Sequence, residues 1–555
     1  MTRNNAIVLR NKNLSLLAAN QRESEARELA QANERSANLQ TQLAFDAVLR
    51  FSQTVSNDSI IREPQFSGLR QELLSQPMRF YESLRQQMPS EISIDSRLRL
   101  ANANMDLARL QSSFGNVQDA KETSLLALAA WRDLISEFPE VRDYRIGYLR
   151  CYPNVLEHIA RVDSMNSPDD LPPEVQQISQ QAVAIADDLL RTDPRGTLAQ
   201  ALAFSAFANH AKVLDKTDQE SQKVLTDRAY ALLQTLEFEG IQELDHRLDF
   251  AANASDFAFV VLAQSNRIAQ ADEILQRVID FLQAFVDQQV NNDSTFNAKL
   301  QVFNLSEALE RKIMLARKSD PKYDALNDYL AIFKLRQRAL SYFDDTNMKQ
   351  ASGRTAFSIG RRYFERQELD SAKLWLDDAD KIFRDTLEAD PINISAIAML
   401  QMVQQLRGDI HFAQREWQSA VAAHESADAI GDFHGSGHTG ANAGNILIAK
   451  AHLGKAVEVL EAVDKLASVT PALGLQICRA LSICANQVPQ ERQPVYCSRA
   501  LEILGEVVSS DAMPKEQLDQ LVNDLQRAED FEPLRDAEQF KKILADVQGQ
   551  ARQKQ

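Results

Sequence analysis

A chain of 555 residues carries 61 basic and 78 acidic side chains, a formal charge of −17 that sets it against phosphate backbones and anionic lipid headgroups. With 44% hydrophobic residues, only 17 Gly and 16 Pro, and long runs free of both breakers, it reads as an ordered all-α protein rather than a strand-rich one. Four cysteines (Cys151, Cys478, Cys484 and Cys497) are too scattered for a disulfide framework, and no stretch approaches the ~20 apolar residues of a membrane span.

Residues 1–55 open with an apolar run, Ala6 to Leu9, far shorter than the core of a signal peptide. From Ala6 to Thr54 there is neither Pro nor Gly, which predicts a long polar helix. Its thin apolar stripe (Leu16, Leu29, Leu39, Leu43) suits a coiled coil, hence helix-mediated self-association, or a fold back onto the first repeat. Residues 56–96 lead into the repeats. Between 97 and 345 the pattern predicts divergent hairpins: Arg97–Phe114 with Val117–Phe138, Tyr144–Arg161 with Glu174–Leu190, Leu198–Leu214 with Gln222–Leu236, Leu248–Gln264 with Ala269–Gln288, and Thr295–Arg317 with Tyr323–Phe343. Residues 346–471 hold the clearest repeats. Residues 472–555 supply a last hairpin, Ala472–Ala485 with Gln493–Val508, and capping helices at Lys515–Leu525 and Ala537–Val547.

In the clearest segment Gly360, Tyr363, Ala372, Leu376 and Ala379 stand at the offsets of a tetratricopeptide (TPR) unit. The unit is read again at Ala413, Trp417 and Ala420, and at Gly444, Ala456 and Leu460. Ala372, Ala413 and Ala456 are 41 and 43 residues apart, longer than the ~34 of a TPR. In each hairpin a small residue admits the partner helix closely, and a bulky one four positions later fills the space between turns. The expected fold is a right-handed α-solenoid of TPR-like hairpins, in which neighbours stack because one hairpin buries too little alone.

Within Ser56–Pro89, Asp58, Ile60, Pro64, Leu69, Arg70, Leu73 and Leu74, followed by Phe80 and Tyr81, form an entry motif. It resembles the start of the TPR-containing C-terminal region of large bacterial serine/threonine protein kinases. Ser136–Arg145 resembles the repeat junctions of that region and Asp524–Leu544 its C-terminal cap. In that family a kinase domain and usually a membrane span precede the tail, and neither is found in this chain. The resemblance therefore implies a detached regulatory tail, a separately made partner or a truncated kinase, and a membrane association only if an upstream span belongs to the protein.

Several motifs tempt and fail. Gly435–Gly440 spells G-x-G-x-x-G, yet a helix precedes it and Asn442 stands where a kinase glycine loop carries Val, so it reads as a loop between hairpins. His246–Asn253 resembles a kinase catalytic loop, but Leu248 separates Arg247 from Asp249 and no DFG follows. His424, His434 and His438 read as loop histidines, since no Cys or paired acid completes a metal site. The short basic groupings Arg361–Arg362 and Lys334/Arg336/Arg338 read as solvated helix faces, and Trp131, Trp375 and Trp417 as packing residues.

Function is therefore expected on a groove. The Gly360 register turns Arg354, Phe357, Arg361, Phe364 and Glu365 toward it, and the Gly444 register His438, Ala441, Asn445 and Ile448. Two arginines with two aromatics suit an acidic or C-terminal peptide. The sequence predicts a non-catalytic scaffold or sensor that binds protein or peptide, with no cofactor, metal or nucleic acid, in the cytoplasm.

Overall fold

The computed structural model describes residues 21–29, scattered positions between 32 and 83, and residues 94–553 apart from 114–115, 164–171, 215–217, 243, 292–298, 343–344, 390–392, 434–441, 467–469 and 510–514. Most of the predicted N-terminal helix, and Asp58, Ile60, Pro64, Leu69, Arg70, Leu74 and Tyr81 of the entry motif, lie outside the described residues. So do His434, His438 and the Gly435–Gly440 run. Phe80 packs against Ala103 and Leu107. Among the described residues the chain is all-α, with no strand, and none of its helices is long and apolar enough to cross a membrane.

Two compact units divide the chain, residues 1–315 and 316–555. The first holds α1 (Ile94–Ser113), α2 (Val117–Glu137), α3 (Arg142–Asp163), α4 (Pro173–Thr192), α5 (Thr197–Val213), α6 (Gln219–Thr235), α7 (Leu244–Asp256), α8 (Ile268–Asn291) and most of α9 (Lys299–Ser319). The second holds α10 (Leu326–Leu340), α11 (Thr346–Glu365), α12 (Leu369–Ala389), α13 (Ile394–Ala413), α14 (Trp417–Phe433), α15 (Ala443–His452), α16 (Ala456–Asp464), α17 (Pro471–Gln487), α18 (Gln493–Ser509), α19 (Lys515–Arg527) and α20 (Glu538–Gln553). The helices of the predicted hairpins appear, with ends shifted by a few residues. One element was not foreseen: the helix predicted at Leu248–Gln264 breaks at Asp256 into a π-helical turn, Phe257–Leu262, where Ala263 N–H reaches back to the Ala258 carbonyl.

Side-chain caps start several helices. Asp218, Asp345, Asn393 and Thr470 accept from the backbone N–H three residues on, satisfying a donor that the first turn leaves orphaned. The first unit's core is aromatic where α5, α7 and α8 meet: Phe204 lies edge-on to Phe250 and Phe257, and Phe238 stacks on Phe281 at 4.9 Å.

One turn recurs within hairpins. Asn266, Gln367, Arg415 and Gly454 have positive φ (59°, 62°, 60° and 75°). The next N–H in each case (Arg267, Glu368, Glu416, Lys455) reaches back to the carbonyl five residues earlier, closing a Schellman-type C-cap. Counting from that turn fixes the repeat register without reference to residue type. Five residues on lie the fully buried Ala271, Ala372, Ala420 and Val459; nine on lie Leu275, Leu376, His424 and Val463.

This corrects the second and third repeats. Ala413 is the exposed last residue of α13, and the small residue of that unit is the fully buried Ala420, while Gly408 on the facing helix stands against His424. In the next unit Leu447, Val459 and Val463 take the places assigned to Gly444, Ala456 and Leu460. The Gly360 unit keeps its register: a Cβ on Gly360 would meet Leu376 at 3.2 Å and the Ala372 carbonyl at 3.3 Å, so the helices already touch. Leu376→Ala is expected to lower stability by about 3 kcal/mol, from lost transfer energy plus an unfilled cavity. A urea melt with an unchanged midpoint would contradict that packing.

Candidate functional site

α11, α13, α15 and α17 are the first helices of successive hairpins, and side chains bridge the last three at their shared face. Asn445 on α15 donates through Nδ2 to Asp409 Oδ1 on α13 at 3.1 Å. Gln476 on α17 donates through Nε2 to Asn445 Oδ1 at 3.2 Å. The result is a polar ladder across three first helices, all its members half-buried. Gly444 leaves the space it needs, because a Cβ there would overlap the Gln476 amide. Each amide retains a donor hydrogen and acceptor capacity beyond the ladder.

Behind Asp409 lies His424, fully buried in the slot that Leu376 fills one hairpin earlier. Its Nε2 is 3.6 Å from Asp409 Oδ1, a neighbour but not a hydrogen bond, and among the described residues neither ring nitrogen has a hydrogen-bond partner. Burial drives the imidazole down to about 4 and pushes the Asp409 carboxyl up to about 6, the latter against the pull of the Asn445 amide. The nearby Asn442 is occupied, donating to Asp428 Oδ1 at 2.7 Å.

In the first unit a charged counterpart joins α5, α7 and α9. Asp256, the last residue before the π-helical turn, accepts from Lys212 Nζ at 2.6 Å and lies 3.3 Å from Arg311 Nη2, while Arg311 Nη1 donates to Ser255 Oγ at 2.9 Å. Two cations thus share one carboxylate.

The predicted groove residues divide. Asn445 stands at the centre of the ladder. Phe357 does not face a groove: it is 8% exposed and belongs to the core formed with Ala372, Leu376 and Phe383, and Ile448 is likewise buried. Phe364 is half-buried against the same core. Arg361 is exposed and pairs with Glu365 at 3.6 Å; Arg354 is half-buried on the same helix. His438 and Ala441 lie outside the described residues. The sequence reading missed Asp409 and Gln476, and the one available signal was a carboxylate beside Gly408, the only acidic residue of α13.

The basic groupings are not simply solvated. Arg336 is 0% exposed, donating to the Ala351 carbonyl at 2.8 Å and to Thr355 Oγ1, and Arg362 is also buried. His424 is a core residue of α14 rather than a loop histidine, and His452 stacks on Trp417 at 4.1 Å. Trp131 is buried and Trp375 packs on Phe333, both as core side chains. His246–Asn253 is continuous helix within α7. Burial raises the thiols of Cys151, Cys478 and Cys484, which makes them poor nucleophiles. Among the described residues no three His, Cys, Asp or Glu side chains converge as a metal would need.

No protein-family model and no curated protein matches the chain. Solved helical proteins are similar to it at low identity. Apo RapI shares 10% identity, covering 82% of this chain and 99% of that one, at a TM-score of 0.39. Aspartyl phosphate phosphatase F from Bacillus subtilis shares 13%, covering 75% and 96%, at 0.34. A human IFIT1 dimer with m7Gppp-AAAA shares 12%, covering 86% and 94%, at 0.30. None of these likenesses is strong enough to speak to function.

Proposed function

We propose that this chain is a non-catalytic helical-repeat scaffold that holds protein or peptide segments along the face shared by its first helices. The ladder Asp409–Asn445–Gln476 carries the reading. Side-chain amides offer a donor and an acceptor in the pattern that an extended peptide backbone presents, and here two of them, on α15 and α17, are fixed in advance by the ladder, which lowers the ordering cost of binding. A carboxylate at one end and arginines on α11 add charge selection along the same row of helices. The likeness of the entry segment to kinase-linked tails supports a signalling setting, as a regulatory tail or a separate partner.

The test is affinity capture from a cell extract with wild type, Asn445→Leu/Gln476→Leu and Arg354→Glu/Arg361→Glu, followed by binding of the captured segments as synthetic peptides. The ladder variant is expected to bind them about tenfold more weakly, the cost of one to two lost hydrogen bonds. The arginine variant is expected to lose acidic segments selectively. Equal binding by wild type and the ladder variant, at unchanged melting temperature, would remove the first-helix face from the function.

A further inference from the structure

A separate cleft opens in the first unit between α2, α3 and α4. It encloses about 240 Å³, room for roughly eight water molecules at their liquid volume. Leu125, Leu128 and Ile178 make an apolar floor. Arg132 and Glu174 both line the cleft without pairing with each other. The guanidinium's ion-pair neighbour among the described residues is Asp133, at a loose 3.9 Å, and Glu174 has none.

The polar groups are sorted by end. Tyr148, buried between the helices, donates its hydroxyl to Gln181 Oε1 at 3.3 Å, which leaves the Gln181 amide nitrogen as a free donor. Arg132 stands near this end: its chain neighbour Trp131 lays its ring against Gly147, the residue before Tyr148. Glu174 lies seven residues before Gln181 on α4, about 10 Å along the helix. Donors thus gather at one end, a carboxylate stands at the other, and hydrocarbon lies between.

An α-amino acid has the matching shape. Its carboxylate and ammonium share one carbon, so with a hydrogen bond of ~3 Å at each end the zwitterion bridges about 9 Å. Being neutral overall, it is not repelled by the chain's charge of −17. We propose that this cleft binds a free α-amino acid with an apolar side chain. Its carboxylate rests on Arg132 and Gln181, its ammonium on Glu174, and its side chain on the floor. The site shares no residue with the first-helix ladders and stands independently of the scaffold reading.

The experiment is calorimetric titration of the whole chain with L-leucine, L-phenylalanine, leucinamide and N-acetyl-leucine. Saturable binding of the free amino acids is expected, with each blocked analogue at least about tenfold weaker. Arg132→Gln should shrink the penalty on the amide, and Glu174→Gln the penalty on the acetylated form. Both side chains are exposed, so the variants should melt with wild type when ligand-free. No binding of either amino acid up to about 10 mM would overturn the proposal. So would leucinamide binding as tightly as leucine, which would assign the cleft to a peptide amino terminus.

Discussion

Gly408→Ala is expected to destabilise the protein by about 2 kcal/mol, although alanine is the better helix former by about 1 kcal/mol. Gly408 lies inside α13, and a Cβ there would stand 2.6 Å from both Cε1 and Nδ1 of His424 and 2.8 Å from Cδ2. Those atoms span the ring, so no small rotation clears them, and the imidazole is fully enclosed. The helix pair must separate or the ring must leave its slot. The double variant Gly408→Ala/His424→Leu should recover most of the loss, because leucine fills the equivalent slot opposite Gly360, where an added Cβ would meet it at 3.2 Å rather than 2.6 Å. Urea denaturation of the four members of this cycle measures the coupling. A single variant as stable as wild type would show that the two helices do not meet as described. Gly147 faces the Trp131 ring in the same way, with a Cβ at 2.5 Å.

Asp409→Asn is expected to make stability fall steeply on acidification, and His424→Leu to give the opposite slope. His424 is neutral in the folded state down to about 4, whereas an unfolded histidine takes its proton near 6.5. The unfolded chain therefore binds more protons between these values, and stability is lost as pH falls through them. Asp409 does the reverse. Its folded carboxyl keeps a proton up to about 6 that the unfolded chain sheds near 3.8, so its contribution is full at low pH and is lost as pH rises through 6. In the wild type the two oppose each other between pH 4 and 6. With Asp409→Asn the histidine acts alone, and the loss from pH 6.5 to 4 should approach about 3 kcal/mol, at 1.36 kcal/mol per unit. With His424→Leu the aspartate acts alone. Its side chain is 33% exposed and screened by solvent, so the slope should be smaller, about 1–2 kcal/mol. Denaturation midpoints of each variant minus wild type, followed over that range, isolate the pair from the remaining carboxylates. Parallel curves for all three proteins would rule out the paired arrangement.

The hairpins were legible because the sequence leaves long helical stretches bounded by Gly, Pro or a capping side chain, and because Ala372, Leu376 and Ala379 carry the expected small and large alternation. The register beyond them was not. Arg415 turns the chain with positive φ where a glycine is the usual signal, and Ala413, small but exposed, offered a false anchor two residues before it. His424 occupies a hydrocarbon slot, so an apolar pattern passes over it. Phe357 and Arg336 fail for one shared reason: an aromatic or a cation on a helix shows its type in the sequence but not its direction. Arg336 is tolerated inside because a carbonyl and a hydroxyl receive it, and no linear spacing announces those partners. Asn445 was singled out from its offset, by a register three residues out of step. Asp409 and Gln476 came to light only when the helices lay side by side.

The Schellman turns bear on how such a protein ages. What recurs at Asn266, Gln367, Arg415 and Gly454 is a backbone conformation and a reach-back bond, filled by four different residues. The left-handed conformation costs a non-glycine residue about 1–2 kcal/mol, a debt small beside the packing that each hairpin gains. Selection can therefore maintain the bend while the letters that spell it drift. Within this chain the four hairpins align by the hydrogen bonds of the main chain where their turn residues share no letter.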